Sequence, residues 1–329
     1  MSYWMQEIGL IQVLQQLGTV LIAPMRFISF LGTESCYIVL MPFLFWCVDS
    51  GIGFRIGLML LLSNGFNGSI KVAMHSPRPY WVDARITPLA HETSFGMPSG
   101  HAMNSASIWG LLAALIHQRW LWIISSAIIF LVGISRIFLG VYWITDVVVG
   151  WLLGITLLLV FLRFEPTIKE RLSRMSTWEL TLVCIASSLV ILLLVALPIW
   201  LSGNWTIPPE WEQMAARADP NTPLAPLELS NAFTISGKWL GVTVGYTWFK
   251  RLRNHSMADA SRIQLILRYL IGMFGVFIIL YGLGKVFPRS EDVVSYGLRF
   301  VRYALVGGWI ALLAPLLFVK IRLYKIKST

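Results

Sequence analysis

The sequence predicts an all-α integral membrane protein, with a transmembrane helical bundle followed by a C-terminal helical membrane extension. Composition is the first reason: 57% of the 329 residues are apolar or aromatic and 13% are charged, against about 25% charged in an ordinary soluble domain. The second is the recurrence of uncharged stretches such as residues 180–200, since roughly 20 apolar residues cross a bilayer as helix.

Hydropathy places spans at residues 33–48, 53–72, 101–116, 120–138, 143–162, 180–200, 233–249, 263–286 and 303–319. The seventh is glycine-rich and contains Lys238. Ahead of them, residues 8–30 are apolar but interrupted by Gln12, Gln15, Gln16 and Pro24, which favours a helix lying in the interface over a tenth span. The first 16 residues have neither the basic start nor the small-residue cleavage site of a signal peptide.

Basic residues set the orientation. Residues 163–174 carry Arg163, Lys169, Arg171 and Arg174, residues 250–253 carry three cations, and the tail carries Lys320, Arg322, Lys325 and Lys327. Nine alternating spans put all three groups on one side, which the positive-inside rule makes cytoplasmic. The acidic stretch 202–232 then lies outside, together with residues 75–98 and 136–142. With Trp205, Trp211 and five prolines, and Trp200 just ahead of it, 202–232 is expected as a surface loop anchored in the interface, with a lid over the outer face as the alternative. A polar linker at 165–177 divides a core at 1–164 from a four-helix extension at 178–329.

The net charge of +10 does not indicate nucleic acid, because the 26 Lys and Arg are dispersed among short loops and form no basic stripe. Cys36, Cys47 and Cys184 sit in apolar stretches without metal-ligand spacing and read as packing residues.

Three segments at the outer face concentrate the unusual polar residues. They are Lys71 through Arg78-Pro79, then Pro98-Ser99-Gly100-His101 at a helix start, then Ser135-Arg136 through Tyr142 to Asp146. Lys71, Arg78 and Arg136 offer an anion three cations, two of them guanidinium forks suited to phosphate oxygens. Ser99 and Gly100 add the free amides of a helix start. His101 can donate a proton, and Asp146 lies one helical turn beyond position 142. Together they form a phosphate cradle equipped for phosphoryl transfer.

These residues resemble the signature of the phosphatidic acid phosphatase type 2 superfamily, which also contains the vanadium haloperoxidases: Lys-x6-Arg-Pro, Pro-Ser-Gly-His and Ser-Arg-x5-His-x3-Asp. The first two match fully at Lys71–Pro79 and Pro98–His101, and the third matches at Ser135, Arg136 and Asp146. The likeness covers roughly residues 4–164. It implies that Lys71, Arg78, Ser99, Gly100 and Arg136 bind phosphate, that His101 protonates the leaving group, and that Asp146 orients the nucleophile. The departure is Tyr142, which stands where the family has its nucleophilic histidine.

A phenol, with pKa about 10, is almost wholly protonated where imidazole has a free lone pair. Attack therefore falls to Tyr142 itself, to water, or to His75 or His91 on the same face. His117 and His255 fall on the cytoplasmic side. The resemblance implies hydrolysis of a lipid phosphate or pyrophosphate, without metal or other cofactor, at the periplasmic face of a bacterial inner membrane. The expected partners are that lipid and the surrounding membrane lipids. Alternatives are a degenerate protein that binds lipid phosphate without cleaving it, and a lipid transporter built on the extension, with Lys238 and Lys285 as pointers.

Overall fold

The computed structural model describes residues 2–252, 260–288 and 290–324, so Arg253, His255, Lys325 and Lys327 lie outside the described residues. Among the described residues all regular structure is helical, without strands. In chain order the helices are α1 (Ser2–Gln15), α2 (Ile22–Phe30), α3 (Glu34–Val48), α4 (Ser50–Met74), α5 (Pro79–Val82), α6 (Gly100–Ile116) and α7 (Arg119–Phe138). They continue with α8 (Ile144–Ser173), α9 (Thr177–Leu201), α10 (Pro209–Ala218), α11 (Ser230–Leu252), α12 (Arg262–Val286) and α13 (Val293–Lys320).

Each of the nine expected spans is a helix. Five of them, α7, α8, α9, α12 and α13, are long and apolar enough to cross a membrane, and the other four are shorter or more polar. The chain is an integral, multi-pass membrane protein. The N-terminal apolar segment is two helices meeting at 89° about Gly18, whose φ of 103° only glycine adopts readily.

Local chemistry sets several boundaries. Pro79 and Pro209 occupy first-turn positions of α5 and α10, where a missing N–H costs nothing. Ser261 and Gln264 close a capping box at the start of α12. Asp292 caps α13 through the Ser295 amide at 2.8 Å.

The chain divides into two compact units, one of residues 2–37, 62–161 and 196–228, the other of 38–61, 162–195 and 229–324. In the second unit, α11 lies directly against α13. A Cβ on Gly241 would strike the carbonyl of Ala304, so only glycine allows the two backbones this approach. Lys238 Nζ lies 5.0 Å from the Tyr303 ring, and Lys285 is exposed near the end of α12.

The first unit holds a core of Ile8, Ile11, Tyr80, Trp81, Phe95, Phe138, Tyr142 and Val147, among others. The stretch after α9 departs from the expected surface loop and folds back as a cap. Its Trp205 ring packs 4.6 Å from His75 and 5.3 Å from Phe95, and Trp211 packs 6.2 Å from Trp81. The Ala225 amide donates to the Thr93 carbonyl at 3.1 Å. Trp205 and Trp211 bury more apolar surface against these rings than on their own, which explains the inward turn.

Candidate active site

The start of α6 anchors the site. Ser99 is its N-cap, with Oγ accepting the Ala102 amide, and the Ser99 amide donates to the Asp146 carbonyl at 2.9 Å. Helix α8 can come this close because position 150 is glycine: a Cβ there would stand 2.7 Å from the Ser99 carbonyl. A Cβ on Gly100 would approach Asn67 Oδ1 to 3.0 Å, and Asn67 Nδ2 holds the Pro98 carbonyl at 3.1 Å. His101 follows, half-buried, on the first turn.

The three cations reach the same place from three elements. Lys71, at the end of α4, donates to the carbonyls of Phe95 and of Gly96, the latter at 2.8 Å. Arg78 is wholly buried. Its Nε and Nη1 hold the carbonyls of Ser94 (2.6 Å) and Val141 (2.9 Å), and its Nη2 holds that of Phe95 (3.0 Å). Arg136, in the last turn of α7, gives Nη1 to Ser29 Oγ at 2.7 Å.

Tyr142 lies in the turn between α7 and α8 with its ring inside this group. The ring centre is 4.4 Å from the Arg78 guanidinium, 5.2 Å from that of Arg136 and 5.0 Å from Lys71 Nζ. Its hydroxyl accepts from Arg78 Nη2 at 3.2 Å and from Lys71 Nζ at 3.4 Å. Burial pushes the phenol pKa up, partly countered by Arg78, so the hydroxyl keeps its proton near neutral pH.

Asp146 is fully buried at the start of α8. Its Oδ2 accepts the Trp143 amide at 3.0 Å, and its Oδ1 has no partner among the described residues. A histidine at 142 would carry a ring N–H close to its Cβ, four residues ahead of this carboxylate. A phenol has its only polar atom at the tip, which leaves Asp146 no group on that ring to orient.

Sequence reasoning missed two residues. Ser29, from α2, completes the hold on Arg136. Glu92, from the loop before Pro98, accepts a hydrogen bond from Arg136 Nη2 and lies 3.7 Å from Arg78 Nη2. Burial pushes its carboxyl pKa up, but the Arg136 and Arg78 guanidiniums prevail and hold it well below the usual carboxylate range. The available signal was a carboxylate nine residues ahead of His101 in a loop facing three cations.

His75 and His91, the substitute nucleophiles, both turn to the cap. His75 Nε2 lies 3.2 Å from Ser202 Oγ, and His91 Nδ1 lies 3.7 Å from Asp219 Oδ2. Neither histidine joins the cations around Tyr142.

Comparison with known proteins agrees with the motifs. Residues 52–170 match the PAP2 superfamily, and residues 233–326 match the PAP2 superfamily phosphatase, transmembrane extension. Phosphatidylglycerophosphatase B of Bacillus subtilis is 36% identical over 127 residues, 35% of this chain and 60% of that protein. Sphingosine-1-phosphate phosphatase 1 of Rattus norvegicus is 30% identical over 137 residues, 40% of this chain and 32% of that protein. The chain therefore spans about 60% and a third of these relatives' lengths. The crystal structure of a transmembrane PAP2-type phosphatidylglycerolphosphate phosphatase from Bacillus subtilis superposes with a TM-score of 0.44 at 29% identity, covering 50% of this chain and 86% of that one. By its motifs, and by the matches over residues 52–170 and 233–326, which together cover more than half of the chain, the chain belongs to the PAP2 superfamily.

Proposed function

We propose that the protein hydrolyses the phosphomonoester or pyrophosphate of a membrane lipid at the outer membrane face. The observation that carries this reading is the convergence of Lys71, Arg78 and Arg136 on one point beside the α6 N-terminus and His101. The relatives lend it chemistry, since their names specify phosphatases of phosphatidylglycerophosphate and of sphingosine 1-phosphate. In this reading the core at 1–164 carries the reaction, and 178–329 is membrane extension.

The cations and the amides of α6 take the phosphoryl oxygens and balance their charge in the transition state. His101 gives its proton to the lipid oxygen as the P–O bond breaks. Either the Tyr142 oxygen attacks phosphorus, its proton passing to a phosphoryl oxygen of the substrate, and forms a phosphotyrosine that water then cleaves, or Asp146 takes a proton from a water that attacks directly. These residues supply the binding, the charge balance and the proton transfers without invoking a metal or other cofactor.

A second reading is favoured by one observation: Asp146 Oδ1 has no partner and the Tyr142 hydroxyl is turned to the cations. In it the protein binds lipid phosphates and turns them over weakly or not at all. Phosphate release from a panel of lipid monophosphates and pyrophosphates by purified protein separates the two. Release that His101→Ala abolishes supports hydrolysis. Binding of the same lipids without release supports the second reading.

A further inference from the structure

We propose that Glu92 is the resident anion of the phosphate cradle, so that substrate binds by displacing it and only a dianionic phosphate competes well. Glu92 thus becomes the residue that selects phosphomonoesters over phosphodiester lipids. The inference rests on the assignment of Arg78 and Arg136 as phosphate ligands.

The geometry is that of a bound anion. One carboxylate oxygen of Glu92 takes Arg136 Nη2, and the other lies 3.7 Å from Arg78 Nη2, the two arginines assigned to phosphate. Those guanidiniums are walls of the site: Arg78 is 0% and Arg136 4% exposed at the side chain, whereas Glu92 is 25% exposed. Glu92 is therefore the most exposed of the three side chains.

Its backbone is pinned. Tyr80 Oη donates to the Glu92 carbonyl at 3.0 Å, and the next residue, Thr93, accepts the Ala225 amide of the cap. The side chain alone is free to leave, by rotating towards the solvent it already meets.

The electrostatics follow from the charges. Buried cations left without a counterion are costly, so the resting site needs an anion. A carboxylate supplies one negative charge and two oxygens. A phosphomonoester carries between −1.5 and −2 at pH 7 with three acceptor oxygens, and therefore satisfies Lys71, Arg78 and Arg136 better. A phosphodiester carries a single charge and two free oxygens, which only equals Glu92. Most bilayer phospholipids are diesters, and a site without Glu92 would be open to them.

The test uses detergent-purified full-length protein with two soluble probes, inorganic phosphate and the monoanion dimethyl phosphate, titrated by thermal shift or calorimetry at pH 7.5. Glu92→Gln should bind phosphate at least tenfold more tightly than wild type and should gain binding of dimethyl phosphate. Glu92→Asp, too short to span both arginines, should tighten phosphate by a smaller factor, and serves alone if the glutamine variant does not fold. Unchanged or weaker phosphate binding in these variants would overturn the proposal, because Glu92 would then hold the arginines in place for phosphate. Arg136→Ala tests the cradle separately. If it abolishes phosphate binding while Glu92→Gln changes nothing, the gate fails and the cradle stands. If Arg136→Ala binds phosphate as wild type does, the cradle fails and the gate with it.

Discussion

The hydroxyl of Tyr142 lies 3.2 Å from Arg78 Nη2, whereas the carboxylate of Asp146, one turn further along, binds the Trp143 amide through Oδ2 and leaves Oδ1 without a partner among the described residues. The one position that departs from the motif thus has its polar atom on the cation side and makes no hydrogen bond to Asp146. Several consequences can be measured.

Tyr142→His should supply a ring N–H for the orphaned Asp146 oxygen and turn the opposite nitrogen to the cations. Lipid-phosphatase activity should rise at least tenfold, about 1.4 kcal/mol of barrier. Adding His101→Ala or Asp146→Ala should remove the gain. A variant no faster than wild type would show that Tyr142 is not what limits this site.

Tyr142→Phe distinguishes who attacks. If Tyr142 is the nucleophile, the phenylalanine variant is inactive and wild type yields an acid-stable phosphotyrosine on quenching. If water attacks under Asp146, Tyr142→Phe keeps wild-type turnover and Asp146→Asn loses it. Phosphate release and peptide mapping after acid quench read both arms.

The cap should matter to lipid substrates in particular. Trp205→Ala removes a half-buried ring packed on His75 and Phe95, and Phe95 presents its carbonyl to Lys71 and Arg78. Loss of a fully buried tryptophan costs 3–5 kcal/mol, so roughly 2 kcal/mol is expected at this partly exposed site. Turnover of a long-chain lipid phosphate should fall more than that of a short water-soluble phosphate ester. Equal losses would make the cap purely structural.

The helices were legible in the sequence because apolar runs of bilayer length leave few alternatives, and each expected span lies on a helix. The motif residues were legible as a group because their types recur at the spacings of a known signature, and the fold brings Lys71, Arg78, Ser99, Arg136, Tyr142 and Asp146 together. Glu92 was not, since a loop carboxylate obeys no periodicity and its importance comes only from what faces it. The inward fold of 202–228 was hidden for a similar reason. Tryptophans and prolines suit a loop in the membrane interface equally well, and only the rings of His75, Trp81 and Phe95 decide otherwise.

Anion binding should be visible without turnover. Orthovanadate should raise the melting temperature of the wild-type protein, as any ligand specific to the native state does. Arg78→Ala and Arg136→Ala should each abolish the gain, because a charged double hydrogen bond is lost. Equal stabilisation of wild type and both variants would place the anion elsewhere.

The outer-face assignment rests on topology and can be tested by labelling. Arg163, Lys169, Arg171 and Arg174 cluster in and just after the last turns of α8, which the positive-inside rule puts in the cytoplasm. Helix α9 then crosses, so the cap and the 75–98 loop it covers would share the opposite face. Ser173 and Asn221 are both exposed, one on each side of α9, and neither takes part in the site. In intact cells a cysteine at Asn221 should react with an impermeant thiol reagent, and one at Ser173 should react only after permeabilisation. The native Cys36, Cys47 and Cys184 are half-buried or buried, and a cysteine-free parent removes them from the readout. Labelling of Ser173→Cys from outside, with Asn221→Cys protected, would invert the orientation. The cation cluster would then face the cytoplasm and draw its lipid from the inner leaflet.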